Sequence, residues 1–512
     1  MIRGRAAVGI RSVLLLGLQV AALLTAASTQ QVEAGALLAG VAKVDVTSTA
    51  AGPVNDPLFV KSLVLKSGDT TAVVITVDAV AIAEIGPIRN GYLAEVRQRL
   101  EQDLKIPPTS VMINASHCHG IVCDDIAERT VQAVQQAVAA LTPVRIGAGA
   151  GHEDRVMENR RLKLKDGRQA DVRHAYSLPA DAAIESVGPI DPEIGLLRID
   201  RMDGGTLAVV YNFACHPILG VPSGGNTADM TGFASQVVED NLPGAVALFL
   251  QGCGGDINPV RYKDFDQPRN AQTLGNLLGL SVLAGTRRID CKGDGPLKVI
   301  NETLTLPRRD NAERIAALTA EQQRLVASLG GTSLNFKTFL PLAVKYGLND
   351  VNPSAESHRY LQDKLLGRAD QERLDADNRR NIEQYVRNIH TMEELTRLQT
   401  NLALLKKHQA TNVAAGSRTM DVELVGLRAG EFTLLTFPGE LTVQIGLNLK
   451  QASPHELTFV AGYTNGYIYY APTAEQLLNA GAAQEDCDTL LAPEWQALYE
   501  ARAMRMLETL WK

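Results

Sequence analysis

The chain has little aromatic material, 5% of its 512 residues with only two tryptophans, and it lacks an excess of positive charge. Fifty lysines and arginines stand against 57 aspartates and glutamates, a net of −7. A protein that tracks a polyanion needs a cationic face, so the balance speaks against nucleic acid as a partner. None of the six cysteines forms a CxxC pair, which removes zinc-ribbon and thioredoxin-type readings. GxSxG is absent, which disfavours a serine hydrolase of the nucleophile-elbow kind. There is no long low-complexity tract and no repeat at solenoid spacing, so a single large α/β body or a few domains remain.

The N-terminus carries the one long apolar run. Arg3, Arg5 and Arg11 precede VLLLGLQVAALLTAA over 13–27, and small residues follow at Ala26, Ala27 and Ser28. The run is shorter than the roughly 20 residues of a spanning helix, and charged head, apolar centre and small cleavage residues predict a secretory signal over 1–28. An uncleaved anchor is the alternative. Export, to the periplasm or beyond the cell, follows as an expectation, and loss of three arginines and no acids takes the net charge from −7 to about −10. In an oxidising compartment cysteines can pair, with Cys118–Cys123 and Cys215–Cys253 as the spacings to consider.

From 29 to 309, and again from 410 to 512, short apolar runs alternate with helical patterns. SLVLKS, TAVVITVD, SVMINA, TLAVVYNFA and AVALFLQG read as buried strands, with amphipathic helices over 91–104 and 126–141. These patterns predict an α/β fold: a mixed, largely parallel sheet flanked by helices. Residues 310–409 are rich in strong helix formers and read as a helical insertion whose many charges form a solvated face.

Ionisable residues recur just after the apolar runs. His117 and His119 follow SVMIN, His216 follows TLAVVYNFA, Asp256 follows AVALFL, Glu440 follows EFTLLTF, and Tyr463 and Tyr467 follow ELTFVAG. Ligands of open α/β sheets bind at the carboxyl ends of strands. His-x-His at a strand end aims both imidazoles one way, which suits a zinc ion and equally suits two buried, hydrogen-bonded histidines. The other histidines, His152, His174, His358, His390, His408 and His455, lie in polar or helical contexts and read as surface residues. Cys118, between the two histidines, is a poor nucleophile for an exported protein.

Taken in order, VAKVDVT, VNDPLFVKSLVLKSGDTTAVVITVDAV, INASHCHG, ENRR, NFACHP, TADMTGFASQVVE, LFLQGCGGDINP, FPGE and AGYTNGYIYYAPT resemble the neutral/alkaline, non-lysosomal ceramidase family over nearly the whole chain beyond the signal. The resemblance implies one zinc ion per chain, held by His117, His216, Glu440 and Tyr467, and hydrolysis of an N-acyl amide by zinc-activated water. It places His119 beside the substrate and implies a substrate contact for Arg160. Asp229, within TADMTG, also matches the family and is accounted for as a helix N-cap.

Three departures qualify the resemblance. Where the family carries Gly-Asp-x-Ser-Pro-Asn with an active-site serine, this chain reads Gly255-Asp256-Ile257-Asn258-Pro259-Val260, and an amide is no nucleophile of the serine kind. SHCHGIVCDD departs from the usual Ser-Gly-Pro continuation, and the typical C-terminal sandwich domain has no counterpart. On this reading His119 moves the proton, while Asn258 positions water or substrate. Arg160, Tyr463 or the backbone of 252–255 steadies the oxyanion, and Asp256 either orients a histidine or is a turn residue. A zinc esterase or lactonase on the same core, and a non-catalytic ceramidase-like binding protein, are the alternatives. The expected partner is a small or lipid-like acyl amide, compatible with transient contact with a membrane surface.

Overall fold

The computed structural model describes residues 36–172, 178–220, 225–262, 269–293, 295–349, 351–354, 356–480 and 483–512. The signal expected over 1–28 and His174 lie outside these residues. Leu37–Lys512 form one compact unit.

The strands are β1 (Leu38–Asp45), β2 (Phe59–Ser67), β3 (Thr70–Val77), β4 (Val111–Ala115), β5 (Thr142–His152), β6 (Glu193–Arg201), β7 (Thr206–Phe213), β8 (Val246–Gln251), β9 (Leu297–Pro307), β10 (Thr419–Ala429), β11 (Phe432–Thr436) and β12 (Thr458–Ala461). An eight-stranded sheet runs β8-β7-β6-β5-β1-β2-β3-β4, and a four-stranded sheet runs β9-β10-β11-β12. The larger sheet is joined at its middle by only two residue pairs between β1 and β5, so it behaves as two four-stranded halves. One face of each half, and one face of the smaller sheet, close on a common core that includes Leu63, Val74, Met112, Leu197, Val210, Leu248, Leu427, Phe432 and Phe459.

Helices cover the opposite faces. Helices α1 (Tyr92–Leu104) and α2 (Ile126–Ala139) bury Val96, Leu100, Val131 and Val134 against Val64, Val73, Ile75 and Ile113. Helices α3 (Asp229–Asn241) and α4 (Ala271–Thr286) bury Ala234, Val238 and Val282 against Val209, Tyr211 and Phe249. Then come α5 (Ala312–Ser328), α6 (Phe336–Leu348), α7 (His358–Leu365) and the 45-residue α8 (Asp370–Ala414), which ends five residues beyond the helix-rich stretch read from the sequence. Helices α9 (Val443–Ala452) and α10 (Trp495–Trp511) pack Ile445, Leu449, Trp495 and Met506 on Leu424, Leu435 and Phe437.

The α/β class and the mixed sheet agree with the sequence, but parallel pairing is the minority. Within the large sheet only β3/β4 and β7/β8 are parallel; β1/β2, β2/β3, β1/β5, β5/β6 and β6/β7 are antiparallel. The continuous apolar runs that suggested parallel strands have another cause. Successive residues are buried on both faces, one by helices and the other by the common core. Strand direction leaves no separate trace in such a pattern.

Parallel pairing is nonetheless where the fold builds its site. The two parallel pairs of the large sheet and the pair β11/β12 of the small one are each a strand–helix–strand unit: β3-α1-β4, β7-α3-β8 and β11-α9-β12. A crossover helix is what a parallel connection requires. The carboxyl ends of the three units meet. Ala115 N–H donates to the Tyr463 carbonyl at 3.2 Å, and Gly255 N–H donates to the Leu441 carbonyl at 2.8 Å. A Cβ on Gly255 would lie 2.7 Å from the Glu440 carbonyl oxygen, so only glycine permits this approach.

Asp229 opens α3 in the left-handed region, φ 58°. The N-cap expected of Asp229 is instead Ala228, which makes no side-chain cap; Asp229 is the first helical residue, and its carboxylate accepts from the amides of Met230 and Gly220. Burial pushes its carboxyl up to about 7, although the amide donors oppose this. The folded chain therefore holds this proton more tightly than the unfolded chain. The associated stability is present below about pH 4 and lost as pH rises to about 7. Asp229→Asn removes the titration. The variant's stability relative to wild type is expected to improve by at most about 1.4 kcal/mol per pH unit across that window and then level off. Urea unfolding at several pH values measures this, and a pH-independent difference contradicts it.

Candidate metal centre

Each strand–helix–strand unit contributes one group to a buried cluster. His117 leaves β4 at φ 67°, His216 follows β7, and Glu440 follows β11; the side chains are 4%, 3% and 2% exposed. One ligand atom from each lies within 4.8 Å of the others. His216 Nε2 is 3.1 Å and His117 Nε2 is 3.7 Å from Glu440 Oε2. Tyr463 OH donates to the same oxygen at 3.1 Å, and Tyr467 OH donates to Oε1. The His117 ring lies 4.9 Å from that of His216 and 4.4 Å from that of Tyr463, centroid to centroid.

The far nitrogens fix the tautomers. His117 Nδ1 is 2.6 Å from the Val80 carbonyl oxygen, and His216 Nδ1 is 2.5 Å from that of Gly254 and 3.1 Å from that of Ile257. A carbonyl only accepts, so both Nδ1 atoms carry hydrogen. In the neutral imidazoles the two Nε2 lone pairs then face a carboxylate oxygen. Three acceptors converging at so buried a place need a positive charge among them, either added protons or a cation. Two imidazole nitrogens and a carboxylate match the donor preference of zinc, so these three residues fit the metal that the resemblance implies, while the Tyr467 hydroxyl is given to Glu440. Burial pushes the Glu440 carboxyl up, but the His117 and His216 charges and the His216 and Tyr467 hydrogen bonds outweigh it and hold it well below the usual range. Burial, reinforced by Glu440, pushes both tyrosines well above theirs.

Non-glycine residues in the left-handed region gather here: His117 at 67°, Tyr463 at 51°, Asn465 at 57° and Tyr469 at 64°. Such backbone persists only where surrounding contacts over-determine it, as at functional sites. Asn465 Oδ1 accepts from Ile113 N–H at 2.8 Å, and Asn114 Nδ2 donates to the Gly462 carbonyl at 2.7 Å. These bonds lock the strand carrying His117 to the loop carrying the tyrosines.

The other sequence-derived residues divide. His119 is exposed, its ring 5.7 Å from that of His117. Asn258 is fully buried; Oδ1 accepts from Arg160 Nη1 at 3.0 Å, while Nδ2 has no partner among the described residues. Arg160 is 1% exposed and committed to the Glu485 carboxylate at 2.7 Å, the Gly255 carbonyl, the Tyr470 hydroxyl and Asn258. It lies behind Asn258 as a brace. Asp256 is not brought to an imidazole. Its Oδ1 accepts from Val443 N–H at 2.8 Å at the start of α9, and backbone carbonyls take the histidine hydrogens instead. Cys118 is buried, its thiol pushed well up by burial, and all six cysteines are free thiols.

Two groups went unread in the sequence. Glu485 and Asp486 are fully buried and pair with Arg160 and Arg161, though an acidic pair within AAQEDCD looks like a surface turn. His408, expected at the surface, is 0% exposed. It lies at the inner end of α8, pairs with Asp488 at 2.7 Å and meets the Tyr469 ring edge-on at 4.6 Å. Tyr469's carbonyl accepts from Glu440 N–H at 2.9 Å, so the insertion braces the ligand loop. The charged sequence of α8 hid its one buried face.

Fold and cluster together define a mixed α/β protein with a candidate mononuclear metal centre at converging strand ends. The fold is shared with neutral ceramidase from Pseudomonas aeruginosa, with a TM-score of 0.58 and 17% identity over 93% of this chain and 74% of that one. A ceramidase complexed with C2 gives a TM-score of 0.59 at 17% identity, over 93% of this chain and 75% of that one. No family model matches the chain, and no curated protein does.

Removing Arg160 strips the buried Glu485 of its nearer cation and leaves only Arg161, at 3.4 Å and already paired with Asp486, to offset it. Arg160→Met is expected to destabilise the protein by about 3–5 kcal/mol, with much of the loss restored in the double variant with Glu485→Gln. Denaturant unfolding of both variants checks this.

Proposed function

We propose that the chain is a zinc-dependent hydrolase of N-acyl amides, ceramide-like or otherwise acylated amines, exported to the periplasm or beyond. The observation that carries the reading is the pair of Nε2 atoms facing Glu440, with both Nδ1 hydrogens given to backbone carbonyls. The fold shared with ceramidases supports the reaction class, and the apolar tract at 13–27 supports the export.

His117, His216 and Glu440 would hold the ion, with Tyr467 beside them. Zinc bound there supplies a Lewis acid that lowers the pKa of water and polarises a carbonyl. The chain does the rest. His119, exposed at the rim, exchanges protons with solvent and hands one to the leaving amine. Asn258 points a free Nδ2 donor from a buried position, its orientation set by Arg160 on Oδ1, which suits it to steady charge developing on the acyl oxygen. In this role Asn258 is a preorganised dipole where the family's serine stands. Tyr463 holds Glu440 in place, and Asp256 fixes the loop by anchoring α9.

Metal analysis of the purified protein, coupled to a panel of N-acyl amides and esters with and without chelator, tests the reading. About one zinc per chain and chelator-sensitive amide turnover are expected. His117→Ala should lose both metal and turnover. Turnover that survives complete zinc removal overturns the mechanism, and turnover of esters alone moves the substrate class. Asn258→Ala should lower kcat about 100-fold with little change in KM, leaving metal content intact.

A further inference from the structure

Helix α6 is apolar on both sides, yet it lies at the surface. Its inner side carries Phe339, stacked on Tyr385 of α8 at 4.3 Å, and the buried Tyr346, whose hydroxyl donates to Asp375 at 2.7 Å. Phe336, Leu340, Val344 and Leu348 recur at four-residue steps on the outer side and are 65%, 50%, 55% and 82% exposed. The adjoining α7 repeats the arrangement. Tyr360 turns in to the other oxygen of Asp375 at 2.6 Å, while Leu361 and Leu365 are 66% and 85% exposed. A helix that is apolar all round normally ends inside a protein or a membrane, and aliphatic surface at this density marks an interaction site.

The charge around these residues selects the partner. Helix α6 contains Lys337 and Lys345 and no acid, in a chain whose net charge is −7. Lys337, Lys345 and Lys364 of α7 form no ion pair with a carboxylate among the described residues, and Lys345 rests 5.9 Å from the Tyr346 ring centre. Exposed aliphatics and a phenylalanine interleaved with unpaired lysines are the composition of a helix lying in an anionic lipid interface. No helix of the described residues is long and apolar enough to cross a membrane, so the contact is lateral. Asp375 and His408 lie on the order of 50 Å apart along α8, so the patch sits far from the metal centre.

We infer that the outer faces of α6 and α7 dock this protein onto the surface of a membrane containing anionic lipids, with α8 as the strut between membrane and site. The inference goes beyond the acyl-amide reading and rests on it only for its purpose, delivery of the centre to an amphiphilic substrate. Its test therefore uses lipid free of any acyl amide.

The protein without the expected signal at 1–28, which retains the whole compact unit Leu37–Lys512, is floated with vesicles of phosphatidylcholine containing about one-third phosphatidylglycerol. Wild type is expected to float, and Leu340→Glu/Leu348→Glu to lose about tenfold in partitioning. Lys337→Ala/Lys345→Ala should lose roughly fivefold per lysine and a corresponding part of the salt dependence. All substituted positions are exposed, and unchanged circular dichroism and zinc content verify that the variants are folded. Failure of wild type to float, or equal flotation of the leucine variant, overturns the inference. A wild-type dimer that the leucine variant dissociates, without vesicle binding, also overturns it and assigns the face to a second copy. Loss of amide turnover with vesicle binding retained would sink the functional reading and leave this one standing.

Discussion

Glu440 is buried with both carboxylate oxygens occupied. Oε1 takes the Tyr467 hydroxyl, while Oε2 takes Tyr463 and faces two imidazole nitrogens. A carboxylate this deeply buried is tolerable only if positive charge shares the space. The surrounding architecture keeps that requirement in force. The Val80, Gly254 and Ile257 carbonyls consume the hydrogens that the imidazoles would otherwise turn inward. Gly255 has no side chain, so the loop after β8 can lie against the backbone of Glu440 and Leu441. The left-handed turns at His117 and Tyr463 aim side chains that extended backbone would point elsewhere. Behind this, the Arg160–Glu485 pair holds Asn258 and the Gly255 carbonyl in place.

The centre was legible in the sequence because strand ends are. His117, His216, Glu440 and the tyrosines each follow an apolar run at once, and strand polarity turns that position in the chain into a position in space. Sheet direction was not legible. A strand buried on both faces reads as a plain apolar run whether its neighbours are parallel or antiparallel. Groups buried by charge pairing were also hidden. Arg160, Glu485 and Asp486 belong to residue types that are almost never fully buried unless paired, and their pairing spans 325 residues. His408 was missed because charged residues dominate the sequence of its helix and its few buried positions, such as Leu398, Leu402 and Leu405, are diluted among them. Asp256 was left open between a histidine and a turn, and it reaches the Val443 amide, since nothing local tells a carboxylate whether an imidazole or a helix amide will reach it first.

The helical insertion has a different character at each end. At the inner end of α8, His408 and Asp488 press on Tyr469, whose backbone holds Glu440. Toward the other end, Asp375 ties α6 and α7 to α8 through two tyrosines and leaves their aliphatic sides bare. One continuous helix thus joins a contact with the ligand loop to the most apolar surface of the insertion. Between these ends Leu395, Leu398 and Leu402 of α8 pack on Leu325 of α5, and charge covers the side left to solvent.

The three strand–helix–strand units also bear on how the chain can be divided. Each is local, completed within about 45 residues, yet none holds more than part of the cluster. The first two lie before the insertion and the third after it, so a break anywhere in 310–409 leaves both imidazoles on one fragment and the carboxylate on the other. Complementation by two such pieces would restore the centre only by restoring the β9–β10 ladder across the cut. The centre is thus a logical conjunction written into topology. Occupancy there certifies that distant parts of one polypeptide have found one another, which no single unit can signal alone.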